Sequence, residues 1–392
     1  GRFSIIQPGH VLDFLEKPDA GIPLQLESAE RPVLVKKQAK YNIMRWALTG
    51  RDDLGLNTSC WRLFDSLSKC DVSNETDWKD LCYLWSSDFR THITEKRWQN
   101  VLAKLDVMQK RLPWKNAGSG PRCVATDKFT VLEKGSFLEI ETSQQRLRLN
   151  CRRGLAIDGW WVKSSPEKPL IRTLHHGYFD DIHYGADFYT GHFVLEIPGQ
   201  HKITDLAPVS PNWKLKDGCL IIRGKIQTEL GPVVKEFRLG SGQGSFEMSY
   251  HFKWPTCPNG TLRIGHITLN PEIFEDESLF FRSHNGGDST ETFYLKNKPV
   301  DHLAPVSSLV SINQGLGVTS GRFEIGDAHH CLSVGVDKCM TPLTGHIVYT
   351  PVGMRYFYRM AFSAMEMDDT SCHTISRTCF DNRVVRLCIN SS

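Results

Sequence analysis

The stretch Phe137-Leu138-Glu139-Ile140-Glu141-Thr142-Ser143-Gln144-Gln145-Arg146-Leu147-Arg148-Leu149-Asn150-Cys151 decides the fold. Phe137, Leu138 and Ile140, and then Leu147, Leu149 and Cys151, repeat with a period near two. A β-strand presents alternate residues to one side, so the pattern predicts strands. The same texture returns at Leu220-Ile221-Ile222, Phe246 to Phe252, Leu262 to Ile267, Val306 to Ile312 and Tyr356 to Phe362, split by Gly, Pro and Asn. Many short strands of this kind predict a large antiparallel β-sandwich over residues 122–370.

Towards the N-terminus, Asn116-Ala117-Gly118-Ser119-Gly120-Pro121 forms a linker (116–121), and before it the period becomes helical. Val33 to Thr49 holds helix formers, with Gly50 placed as a C-terminal cap. Asn57 or Thr58 is expected to cap a second helix through Leu63, Phe64 and Leu67, and Thr76 a third. Thr94 opens the clearest helix, where Trp98, Val101, Leu102, Leu105, Met108 and Leu112 recur at three- and four-residue steps until Pro113. Residues 33–115 are therefore expected to form a helical bundle. In residues 1–32 the order strand, turn, short helix looks like the exit of an upstream α/β domain. Residues 371–392 carry three Cys, scattered Arg and Thr and no period, and are expected to be an irregular tail. The fold class is thus α+β and multidomain: a short helical bundle followed by a large antiparallel β-sandwich.

A length of 392 residues fits about two domains. The net charge of +3 argues against a nucleic-acid or membrane partner, and no apolar run nears the ~20 residues of a membrane span. The opening Gly1-Arg2-Phe3 has no initiator Met and no signal pattern, so the chain is expected to begin inside a longer product. None of the 12 cysteines forms a Cys-x-x-Cys pair, and reduced thiols in a cytoplasmic protein are expected. Asn57, Asn74 and Asn259 open glycosylation tripeptides too loose to weigh. No Gly-x-Ser-x-Gly elbow, phosphate loop, zinc spacing or calcium loop is present, so neither metal nor cofactor is expected.

Chemistry concentrates in the run from His175 to His192, HHGYFDDIHYGADFYTGH. His176, Tyr178, Asp180, Asp181, Asp187 and Tyr189 supply what a saccharide needs: aromatic faces for its C–H side, carboxylates for its hydroxyls, and glycines for close approach. The alternative is a Gly-punctuated hairpin with inward aromatics and acids capping turns. In the bundle, Asp88 shares a helix face with Leu81, Leu84 and Trp85, and Arg90 and His92 follow. It either contacts a ligand or braces an arginine such as Arg45, Arg51 or Arg62. The corner Arg51-Asp52-Asp53 is a helix cap with solvated charge or a second ligand contact. Trp46 and Trp61 are expected in the core. The run from Arg282 to Asp288 is a Gly-Gly turn or a further polar surface.

Three stretches together, KKQAKYNIMRWALTGRDDLGLNTSCWR, LCYLWSSDFRTHITEKRW and HHGYFDDIHYGADFYTGH, resemble the C-terminal half of family-57-like glycoside hydrolases. The resemblance implies a (β/α)7 barrel upstream, then a bundle and a sandwich. It also implies that Ser87-Asp88-Phe89 matches the family's Ser-Asp signature facing the active site. The family's catalytic carboxylates sit on the barrel, which this chain lacks, so no catalytic residue is assigned. The expected role is to shape the sugar cleft of a hydrolase or glucanotransferase, with Asp88, Arg90, His92, Arg51 and Asp52 as polar contacts. Its rivals are a non-catalytic carbohydrate-binding module and a polysaccharide lyase.

Overall fold

The computed structural model describes residues 36–38, 41–42, 52–70, 74–86, 89, 94–115, 129–240, 242, 244–284, 290–296, 316–318, 321–366 and 380–391. Strands β1 (Lys36–Gln38) and β2 (Tyr41–Asn42) pair antiparallel where a helix was expected. Helix-forming composition is a weak prior, and a local strand pair overrides it here.

Three helices follow, α1 (Asp53–Ser68), α2 (Glu75–Leu84) and α3 (Glu95–Arg111). Asp52 caps α1, accepting the Gly55 N–H at 3.1 Å, so the helix starts before Asn57 and Thr58. Asn74, not Thr76, caps α2 through the Asp77 N–H at 2.8 Å. Thr94 caps α3 as expected, and Trp98, Val101, Leu105 and Met108 form its buried face. They close a core with Leu56, Leu63, Leu67, Leu81 and Leu84.

The remaining strands are antiparallel. Strands β3 (Thr130–Lys134), β4 (Phe137–Glu141), β5 (Gln145–Asn150), β6 (Ala156–Val162) and β7 (Ile171–Arg172) form a five-stranded sheet in chain order. Next come β8 (Val194–Glu196), β9 (Ile203–Thr204), β10 (Asn212–Lys216), β11 (Cys219–Thr228), β12 (Gly231–Leu239), β13 (Ser245–Trp254) and β14 (Thr261–Thr268). The last are β15 (Phe280–His284), β16 (Thr290–Tyr294), β17 (Leu316–Val318), β18 (Arg322–Gly326), β19 (Cys331–Val336), β20 (Thr344–Val352), β21 (Arg355–Met365) and β22 (Phe380–Ser391). Nine of them order as β10-β11-β12-β13-β22-β19-β18-β15-β16, and six as β17-β20-β21-β14-β8-β9. All three large sheets bury apolar residues in one shared core. The architecture is α+β, a predominantly antiparallel β-sandwich with a short helical part.

The expected irregular tail contains β22, a central strand of the nine-stranded sheet between β13 and β19. Val385, Leu387 and Ile389 alternate into the core, while Arg386 on the other face binds Glu247 and Asp337, each at 3.2 Å. Asn382 in the left-handed region and a register irregularity at its start hide this period in the sequence. The predicted strand at 306–312 lies outside the described residues, as do the predicted elements of residues 1–32. Cys219 is disulfide-bonded, against the expectation of uniformly reduced thiols, while eight other described cysteines form no disulfide.

One buried pair joins the layers. Lys235 on β12 and Asp205 after β9 have no exposed side-chain surface and meet at 2.9 Å. Lys235 Nζ also donates to the Gly154 carbonyl at 2.8 Å, and Asp205 Oδ1 accepts the Phe193 N–H at 3.0 Å. Gly154 has φ +57°, and a Cβ there would lie 1.7 Å from the Asp205 carbonyl oxygen, so only glycine fits. Asp205→Ala, which strands a buried ammonium, is expected to cost about 3–5 kcal/mol in urea unfolding, and the double change Lys235→Met with Asp205→Leu to recover most of it.

Candidate functional site

Alternation on β21 sends Tyr356, Tyr358, Met360 and Phe362 into the shared core. Phe357, Arg359, Ala361 and Ser363 therefore face the other side of the six-stranded sheet. Register places Thr268 of β14 and Val348 of β20 opposite Arg359, His346 opposite Ala361, and Arg263 and Thr344 opposite Ser363. This outer face is polar and largely buried.

A bulge brings His266 into the group. The β14–β21 register shifts between Ile264 and Ile267, and Gly265 there has φ +64°. The His192 carbonyl accepts the Gly265 N–H at 2.9 Å and the His266 Nδ1 proton at 3.2 Å. The two imidazoles stack with centroids 4.5 Å apart. Arg359 donates to His192 Nε2 at 2.8 Å and to the Tyr189 carbonyl at 3.0 Å. A histidine that accepts from a guanidinium is neutral, which assigns its proton to Nδ1. Burial first, then the positive charge of Arg359, holds His192 and His266 well below the usual imidazole range. Burial and Arg263 do the same to His346. Arg263 itself is paired with Glu366 through two bonds of 2.8 and 3.0 Å.

The run 175–192 lies over this face as an irregular segment, not a hairpin. Phe179, Tyr184 and Phe188 pack on Phe357 with centroids 4.6–6.2 Å apart, joined by Leu174 and Val352. Half of the inward-aromatic alternative is thereby correct. Tyr189 stays half-buried beside His192, at 6.2 Å, and donates to Asp187 Oδ2 at 3.0 Å. Burial pushes the Asp187 carboxyl up, but the His176 N–H, the Tyr189 hydroxyl and nearby cations outweigh it and hold it below the usual range. Tyr178 donates to Glu272 at 3.3 Å, with Arg355 5.0 Å from its ring. His176 Nδ1 bonds the Gly185 carbonyl. Asp180 and Asp181 are exposed, and Asp181 caps a short 3-10 turn by accepting the His183 N–H at 2.9 Å. Tyr189 and Asp187 thus join the sheet-face cluster, Tyr178 and His176 flank it, Asp181 serves a turn of the loop and Asp180 is exposed on it.

Sequence reasoning did not select His266, His346, Arg263, Arg359 or Glu366. They are scattered over 104 positions, and only the strand register gathers them. Asp88, Arg90, His92 and Arg51 lie outside the described residues, as does most of the polar run after His284.

Asp52 sits elsewhere, in a cleft of about 340 Å³ where α1 and α3 meet β22. Arg62, Trp98, Asp381 and Arg383 share its lining, and no residue of 175–192 does. The same seam holds Arg62 Nε on the Cys339 carbonyl at 2.8 Å, Arg383 on Thr58 at 3.1 Å and Lys338 3.9 Å from the Trp61 ring. Burial raises the Asp52 carboxyl to about 6, against the Gly55 N–H and the Arg383 charge. A carboxyl raised on folding weakens the fold above that pH, and the penalty fades as pH falls towards the unfolded value of 3.8. Asp52→Asn, which keeps a capping oxygen, is expected to gain about 1–3 kcal/mol at pH 8 and almost nothing at pH 4, as measured by denaturant unfolding at both.

No protein-family model and no curated protein matches the chain. Solved structures with a similar fold include a galactose mutarotase-like protein from Clostridium acetobutylicum, at 9% identity over 68% of this chain and 98% of that one, with a TM-score of 0.42. Another is the 4-alpha-glucanotransferase of Thermococcus litoralis, at 11% identity and a TM-score of 0.38, covering 86% of this chain. The chain spans 50% of that enzyme's length. A third is an alpha-N-acetylgalactosaminidase from Bifidobacterium bifidum, at 10% identity and a TM-score of 0.38, over 65% of this chain and 35% of that one.

Proposed function

We propose that this chain is the bundle-and-sandwich part of a family-57-like glycan-processing enzyme, and that the outer face of its six-stranded sheet holds a saccharide. The observation that carries this reading is the His192–His266–Arg359 cluster rimmed by Tyr189 and Asp187. It offers fixed donors, the neutral imidazole acceptor His266 Nε2 and an aromatic edge, the groups that polyhydroxylated rings are held by. A catalytic barrel upstream, carrying the bond-breaking carboxylates, belongs to the same proposal.

Binding without hydrolysis by this chain alone, the carbohydrate-binding-module reading, is favoured by one further observation. Retaining hydrolysis needs two carboxyls about 5 Å apart. In the cluster, Glu366 is bound to Arg263 and Asp187 to Tyr189. The compartment in this proposal is cytoplasmic, because the free thiols include exposed Cys70 and Cys82, which an oxidising compartment tends to pair. The bonded Cys219 is the contrary observation, and a thiol count on freshly isolated protein decides between them.

Calorimetric titration of the chain with a panel of neutral and acidic oligosaccharides is expected to give a binder whose affinity falls about tenfold in Tyr189→Ala, with no reducing sugar released. Hydrolysis by this chain, lost in Asp88→Asn, overturns the non-catalytic reading. Binding that is indifferent to Tyr189 overturns the site.

A further inference from the structure

We infer that the saccharide held at this face carries an anionic group, a carboxylate or sulfate, and that Arg359 receives it. The inference deepens the proposed function and rests on it. Arg359 is a guanidinium, a group that stays charged in proteins. Both bonds it makes go to neutral acceptors, the Tyr189 carbonyl and His192 Nε2, and its Nε is buried with no partner. No carboxylate among the described residues pairs with it. Burial and the Arg263 charge both disfavour its ionised form, and the two neutral acceptors and the Phe188 ring, 5.6 Å away, offset this without supplying a counter-charge.

The described acids of this face and its covering loop are bound to other partners. Glu366 binds Arg263 through both oxygens. Asp187 takes the Tyr189 hydroxyl and the His176 N–H, and Asp158 is bridged to Arg148. Glu272 takes Tyr178 and faces Lys168 at 3.7 Å and Arg355 at 3.9 Å. Further cations look towards the same lobe: Arg172 lies 5.9 Å from the Tyr178 ring with its own Nε unpartnered, and Arg153 lies 5.8 Å from the Tyr189 ring. Arg359 keeps partial exposure, so an anion can reach it. A neutral hydroxyl would use its donors and leave the charge unmatched. A ligand oxyanion satisfies both.

The test compares glucose with glucuronate, which differ only in oxidation at C6, and with inorganic sulfate, on the full chain by calorimetry. Glucuronate is expected to bind at least about tenfold more tightly than glucose, the worth of one charge-assisted contact. The preference is expected to vanish in Arg359→Gln and survive in part in Arg359→Lys. If Arg359→Gln does not fold, the wild-type comparison at ~50 and ~500 mM salt carries the test, because a preference resting on charge shrinks with screening. Equal binding of glucose and glucuronate overturns the anionic group and leaves the saccharide reading standing. Sulfate binding as tightly as glucuronate overturns the saccharide reading and this inference with it. Absence of binding by either sugar overturns both.

Discussion

The Lys235–Asp205 pair is the buried interaction that sets where three chain segments of the sandwich meet. An ammonium and a carboxylate with no exposed surface are costly to bury, and good geometry with extra hydrogen bonds is what makes the burial tolerable. Here the extra partners are backbone: the Gly154 carbonyl for the ammonium and the Phe193 N–H for the carboxylate. They fix three separate chain segments to one strand of the nine-stranded sheet. Phe193 follows His192, so the same bonds hold the carbonyl that receives Gly265 and His266.

From there the site follows by geometry. A flat continuation of β14 would keep the ladder intact and leave His266 without its stacked partner. The bulge at Gly265 breaks the ladder locally, and a Cβ at that position would lie 2.2 Å from Leu387 Cδ1. Glycine is therefore required by both φ and space, and β22, which supplies Leu387, is part of the site's support.

How much of this was legible in the sequence depends on how local its cause is. Alternation at Phe137 to Cys151 and Tyr356 to Phe362 announced strands because burial on one face writes a period of two. The α3 stripe and its Thr94 cap were legible for the same reason. β22 was not, since Asn382 and the adjacent irregularity break the period before Val385 restores it. Within the candidate site, Tyr189 and Asp187 were visible as an unusual composition. Arg359, His266 and His346 were not, because each looks like an ordinary polar residue between apolar neighbours until register sets it beside the others. Asp52 was legible as a cap, but its burial against β22 depends on residues more than 300 positions away.

The distribution of charge sets Arg359 apart from the other buried cations of the sandwich. Where this fold buries charge it pairs it: Lys235 with Asp205, Arg263 with Glu366, Arg148 with Asp158, Arg386 with Glu247. Arg148–Asp158 lies within the five-stranded sheet, Arg386–Glu247 within the nine-stranded sheet and Arg263–Glu366 on the six-stranded one, so each layer matches the charge it buries. Arg359, on the outer face of the six-stranded sheet, departs from this pattern: among the described residues no carboxylate pairs with it, and its bonds go to the Tyr189 carbonyl and His192 Nε2. Groups left energetically unsatisfied in an otherwise matched fold are where function is expected, because what satisfies them arrives from outside the chain. For Arg359 that visitor is an oxyanion.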